Sequence, residues 1–287
     1  MLAYGNRVAI VCCSNGRPVE WKGKIDRLVK TLEEIGLSPV LSPLIYAADP
    51  EGIFAGTGQE RAEALLEMYR ERTVRAIFDI SGGDIANEIL PYLDFEVVRQ
   101  NPKPFFGYSD VTVILNSIHE ATGQETYYYQ VRNLTGSCKE SQKKAFVRTM
   151  LQGERDLFDF HYHFIQGGSM SGEVAGGNIR CLLKLAGTPF WPQMEGKILF
   201  LEAYGGGPAQ MTTYLSQLRM MGVFEKVSGI LLGTFTKMEE EGHQPDIAAL
   251  VKSNVKKQVP IAKTQELGHG IDSKCLALGR KIWLSET

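Results

Sequence analysis

Apolar positions in the first half of the chain switch repeatedly between two periods. Residues 7–13, with a continuous apolar run from Val8 to Cys13, have the pattern of a strand buried on both faces, and Ser14-Asn15-Gly16 ends it as a turn. Between residues 24 and 36, Ile25, Leu28, Val29, Leu32 and Ile35 recur at helical spacing, which predicts an amphipathic helix closed by Gly36. The alternation continues with a strand at 39–44, a helix at 59–72 and a strand at 74–80. A short helix at 85–90, a strand at 103–108 and a helix at 111–122 complete it. Such a series predicts a parallel sheet covered on both faces, with the ligand crevice outside the carboxyl ends of the strands. The loops at Ser14, Gly83 and Ser109 all fall at such ends.

The pattern weakens after about residue 150. Gly167-Gly168-Ser169-Met170-Ser171-Gly172 reads as a connector. Beyond it, strands are expected at 197–202 and 229–236, helices at 208–221 and 246–256, and extended segments at 261–267 and 281–284. The expected organisation is a parallel α/β domain over residues 1–150, a linker over 151–175 and a smaller α+β domain over 176–287.

Composition narrows the function classes. With 44% hydrophobic and 22% charged residues, the 287-residue chain has the make-up of a globular protein. Its 31 basic and 33 acidic residues leave a net charge of −2, so neither a nucleic acid nor an anionic membrane has an electrostatic claim on it. The first apolar run is too short to span a bilayer and lacks the flanks of a signal peptide. Five cysteines without framework spacing point to reduced thiols, and hence to the cytoplasm. His161 and His163 have no third ligand nearby and read as surface residues, so no metal is expected. Neither G-x-G-x-x-G nor G-K-[ST] is present, so no nucleotide cofactor is expected either.

The sharpest chemical feature is Phe105-Phe106-Gly107-Tyr108-Ser109-Asp110-Val111-Thr112, where a buried strand breaks at a glycine, presents a serine and turns into a helix. That is the setting of a nucleophile elbow, with the free N–H groups of the helix aimed at a developing oxyanion. Val111 occupies the place of the last glycine of G-x-S-x-G, and a plain helix cap by Ser109 or Asp110 is the competing reading. A serine needs a base, and there are five histidines. His119 lies about ten residues into the following helix, roughly 15 Å along its axis, and cannot reach back. His243 sits in a charged loop, whereas His269 stands between Gly268 and Gly270, which let the backbone carry an imidazole into a crevice or merely expose it on a turn. Glu202 ends an apolar strand before Gly205-Gly206-Gly207, either as the group that orients an imidazole or as a rim carboxylate. Gly83, in Ser81-Gly82-Gly83-Asp84, can bring a second N–H to an oxyanion.

Taken in order, Phe106-Gly107-Tyr108-Ser109-Asp110-Val111-Thr112, Phe200-Leu201-Glu202 and Gly268-His269 resemble the LD-carboxypeptidase family of serine peptidases, S66. The stretch from Ile80 to Glu88, running on through Leu90-Pro91-Tyr92, is more similar to its microcin C immunity-type branch than to its murein-recycling branch. Gly176-Gly177-Asn178 and Gly187-Thr188-Pro189 resemble the segment between the family's domains. The resemblance implies a Rossmann-like N-terminal domain, a smaller β-rich C-terminal domain, an active site between them, and commonly a homodimer. It implies Ser109 as nucleophile, His269 as general base, Glu202 as the orienting carboxylate, and the N–H groups of Asp110 and Gly83 as the oxyanion hole. The expected substrate is a small murein-type L,D-peptide or a peptidyl or aminoacyl nucleotide, with Arg132, Arg180 and Tyr204 as candidate binding residues. Three places depart from the family pattern: Gln130-Val131 follows Tyr127-Tyr128-Tyr129 where the family has Gly-Pro, Asp272 replaces a proline, and Cys275-Leu276-Ala277 replaces Thr-Leu-Pro. An α/β-hydrolase-like esterase shares the Ser, Glu, His order. A non-catalytic small-ligand-binding module is the alternative from another class.

Overall fold

The computed structural model describes residues 2–286. Its strands are β1 Arg7–Val11, β2 Ser38–Leu41, β3 Val74–Asp79, β4 Phe105–Gly107, β5 Thr126–Tyr128 and β6 His163–Gln166. The second half adds β7 Ser169–Asn178, β8 Ile198–Ala203, β9 Gly229–Phe235, β10 Ile261–Lys263, β11 Leu276–Leu278 and β12 Lys281–Ser285. They form two six-stranded sheets, ordered β11-β5-β4-β3-β1-β2 and β12-β7-β8-β9-β10-β6.

In the first sheet β2, β1, β3, β4 and β5 run parallel. Val8 to Val11 are buried without alternation, as expected of a strand covered on both faces. The helices Lys22–Glu34 and Gly58–Arg70 make the crossovers, and the capping box of Thr57 with Glu60 starts the second of them. The order 2-1-3-4-5 reverses direction between β1 and β3, the place where such sheets open a crevice at their carboxyl ends. The loops after β1, β3 and β4 meet there.

The second sheet is parallel through β7, β8, β9 and β10, with β12 and β6 antiparallel at its edges. The chain is therefore α/β with two parallel-rich sheets. The stretch read as a connector proves otherwise. Gly167-Gly168 is a tight turn between β6 and β7, and Ser169 opens a ten-residue strand that takes up the end of the expected linker. Its exposed and buried positions alternate through Ser169, Met170, Ser171 and Gly172. Glycine and serine carry that alternation with almost no hydrophobic contrast, so it was invisible as a period. Gly172 is required where it stands, because a Cβ would strike the Gly196 carbonyl.

The halves are stitched together in two ways. β11, from the C-terminal half, joins the first sheet antiparallel to β5, with Leu276 opposite Tyr128. A single apolar cluster also runs from Phe105, Ile114 and Tyr128 to Phe200, Leu231 and Leu267. Tyr128 meets Phe200 edge-on with ring centroids 5.4 Å apart, a contact that adds about 0.5–1.5 kcal/mol to the gain from burial. Among the described residues no helix is long and apolar enough to cross a membrane.

Candidate active site

β4 ends at Gly107, where a Cβ would lie 2.5 Å from the Val111 side chain, so only glycine lets the chain fold back this tightly. Tyr108 is extended and Ser109 follows at φ +55°, the one non-glycine residue with positive φ among the described residues. A left-handed conformation costs an L-residue roughly 1–2 kcal/mol and persists only where its surroundings impose it. Here the Ser109 N–H donates to Tyr128 Oη at 2.9 Å, and Thr112 Oγ1 donates to the Ser109 carbonyl at 2.6 Å. A short 3-10 turn, Ser109–Val111, then leads into the helix Thr112–Thr122.

Glu202 comes from β8, in register with Asn178 of β7, and is fully buried. Its Oε1 accepts from Tyr128 Oη at 2.7 Å and from Asn178 Nδ2 at 2.8 Å. Its Oε2 meets His269 Nδ1 at 2.5 Å. Burial and the Glu202 charge hold the Tyr128 phenol well above its ordinary pKa, so it remains protonated and donating. His269 is placed by Gly268 at φ +124°, where a Cβ would strike Thr234 Oγ1, and its own N–H donates to that oxygen at 3.2 Å. The imidazole lies between Tyr108 and Tyr204, with centroids 5.1 and 5.2 Å away.

Ser109, His269, Gly83, Arg180 and Tyr204 all line one cavity of about 620 Å³. No hydrogen bond joins Ser109 Oγ to His269 among the described residues; the imidazole is bonded through its Nδ1 to Glu202. Gly83 has φ +136°, with Asn15 packed where a Cβ would stand and its carbonyl held by Arg180 at 2.8 Å. Arg180 is also paired with Asp84. The Asp110 side chain points into the protein, bonded to Ser14 Oγ at 2.6 Å and the Ala86 N–H at 2.8 Å and paired with Lys184. Its N–H belongs to the first helical turn, which has no intrahelical acceptor. Arg132 stands outside the cavity wall, behind Tyr108, whose hydroxyl accepts from it at 2.6 Å. His119 and His243 take no part: the first bonds the Gln124 carbonyl and the second pairs with Glu241.

Sequence reasoning passed over Tyr128, Asn178 and Thr234. Asn178 carried a faint signal, since a glycine pair followed by an amide ends a strand there. Tyr128 lies in a strand of three residues with tyrosines on both sides and carried none that local pattern could separate. Among the described residues it is nevertheless the one side chain hydrogen-bonded to both the serine turn and the carboxylate. Tyr128→Phe leaves the Ser109 N–H and Glu202 each one partner short, which should cost about 1–3 kcal/mol of unfolding free energy. The loosened geometry should lower kcat on the order of 10–100-fold with little change in KM. Denaturant titration and steady-state kinetics check both numbers.

A doubly wound sheet and a second parallel-rich sheet that line one cavity define a two-sheet α/β protein. The chain belongs to the LD-carboxypeptidase family of peptidases, S66: the family's N-terminal domain matches residues 8–129 and its C-terminal domain residues 171–284. It is 33% identical over 222 residues to a probable murein peptide carboxypeptidase of Bacillus subtilis, covering 74% of this chain and 67% of that one. It is 26% identical to the microcin C7 self-immunity protein MccF of Escherichia coli, over 98% of this chain and 91% of the relative. The wild-type apo structure of MccF superposes with a TM-score of 0.86 at 24% identity, covering 100% of this chain and 97% of that one. An MccF-like protein from Bacillus anthracis superposes at 0.85 with 25% identity, covering 99% and 95%. Other MccF structures hold aspartyl sulfamoyl adenosine or glutamyl sulfamoyl guanosine.

Proposed function

We propose that this chain is a serine peptidase that cleaves an amide bond of a small peptide, or of a peptidyl or aminoacyl nucleotide, through an acyl-enzyme. The observation that carries the reading is the 2.5 Å contact between buried Glu202 and His269 in the same cavity as a serine held at φ +55°. An ionised carboxylate only accepts, so Nδ1 bears the imidazole proton and Nε2 keeps its lone pair for the Ser109 hydroxyl. His269 takes that proton as Ser109 Oγ attacks the carbonyl, and the N–H groups of Asp110 and Gly83 receive the oxyanion. Returning the proton to the leaving nitrogen breaks the amide, and a water activated by the same imidazole releases the acyl group. Glu202 keeps the ring in the working tautomer and stabilises its charged form.

The relatives' names supply both substrate classes, a murein peptide and the aminoacyl nucleoside mimics bound by MccF. An assay offers the enzyme a tetrapeptide ending in D-alanine and an aminoacyl nucleotide. Release of D-alanine or of the nucleotide, with an acyl mass increment on Ser109 in quenched samples, is the expected result. Turnover of neither, with no adduct, overturns the reading.

A further inference from the structure

Arg17 follows the loop after β1 and is only 9% exposed, yet it lines the cavity beside Gly82, Gly83 and Ser109. It donates to two carbonyls, Gly82 O at 2.8 Å and Asn15 O at 3.3 Å, and among the described residues its buried Nε has no partner. Among the described residues no carboxylate pairs with it. The cations nearby do not help. Its guanidinium lies 5.3 Å from the centroid of Trp21, Arg132 lies 5.2 Å from the same ring, and solvated Lys24 lies 4.2 Å away. Among the described residues Arg132 likewise meets only neutral acceptors, Gln130 Oε1 and Tyr108 Oη, each at 2.6 Å.

The contrast with the rest of the site is sharp, since Arg180 has Asp84 and Lys184 has Asp110. Burial, with the charge of Arg17 added to it, holds the Arg132 guanidinium below its ordinary pKa. The Cys12 thiol near them, pushed up to about 12 by burial, stays neutral and supplies no counter-charge. A buried guanidinium, Arg17, repelled by the half-buried Arg132 is costly without an anion, and the shared indole ring of Trp21 offsets only part of that. The carbonyls of Gly82 and Asn15 hold Arg17 in place meanwhile, so its fork is set before any ligand arrives.

We propose that Arg17 binds an anionic group of the substrate next to the scissile bond, with Arg132 positioning it by way of Trp21 and Tyr108. The assignment rests on Ser109 being the nucleophile and adds to that reading what the substrate must carry. Two sources supply such an anion: the free carboxylate of a terminal residue, or the phosphoryl group of a nucleotide.

The test uses matched pairs, a tetrapeptide ending in D-alanine against its terminal carboxamide, and an aminoacyl nucleotide with a charged phosphoramidate link against an uncharged one. The wild type should favour the charged member of one pair by roughly 10–150-fold in kcat/KM, the span of a charge-assisted hydrogen bond. Preference confined to the first pair assigns a carboxylate, and preference confined to the second assigns a phosphoryl group. Arg17→Gln should erase the preference, and Arg17→Lys, which keeps the charge and loses the fork, should reduce it while preserving the packing. Equal kcat/KM for both members of each pair overturns the proposal, as does an Arg17→Lys enzyme with undiminished preference. Calorimetric binding of the same pairs to Ser109→Ala protein reads the preference without turnover. A failure of the nucleophile assignment therefore shows separately from a failure of the anion site.

Discussion

Replacing Ser109 with alanine should lower kcat by about 10⁴–10⁶, the loss seen when the nucleophile of a serine–histidine–acid set is removed. The fold should not suffer. The hydrogen bond that fixes the turn uses the Ser109 backbone N–H and Tyr128 Oη, and alanine retains it. The bond from Thr112 Oγ1 reaches the Ser109 carbonyl, which is also unchanged. Melting temperature and substrate binding should stay near wild type, while single-turnover kinetics show no acyl-enzyme. A variant that still turns over at a near-normal rate would remove Ser109 from the chemistry altogether.

The second large effect is Glu202→Gln, a change that keeps the shape and alters only which atoms accept. Three donors converge on the carboxylate: Tyr128 Oη and Asn178 Nδ2 on Oε1, and His269 Nδ1 on Oε2. A glutamine has a single acceptor oxygen, and satisfying two donors at once places it against Tyr128 and Asn178. Its NH₂ then faces His269 and forces Nδ1 to accept, which moves the imidazole proton to Nε2 and removes the base. The expected fall in kcat is about 10⁴-fold, the size of effect produced by a wrong tautomer in a triad. Because the two residues act as one unit, Ser109→Ala with Glu202→Gln should be no slower than Ser109→Ala alone. A near-wild-type kcat for Glu202→Gln would mean that the carboxylate does not set the tautomer.

The candidate residues and their supports differ in how far each could be read from the chain. Ser109, Glu202 and His269 each adjoin the end of an apolar segment and a nearby glycine, a local arrangement that one stretch of sequence contains in full. The crossover helices were legible for the same kind of reason, since the spacing of Leu28, Leu32 and Ile35 needs no partner to be recognised. β7 was not legible, because Gly172 and Ser171 mark inside and outside by fit against Gly196 and β12 rather than by hydrophobicity. β11 is three residues long and is a strand because Tyr128 and its neighbours lie opposite.

The sequence by itself therefore determined β1 to β4 of the first sheet, the tight turn at Ser109 and the short roll of groups able to do acyl-transfer chemistry, because period and turn chemistry act over a few residues. Tertiary structure alone decided which of those groups share a cavity. It closed β8 against β7 so that Asn178 and Glu202 fall in register, and it brought Tyr128 from the first sheet to the carboxylate of the second. It also left buried Arg17 beside half-buried Arg132 with no carboxylate paired to either among the described residues. Hydrogen bonds and charge pairs between residues distant in sequence depend on positions that only the packed chain creates.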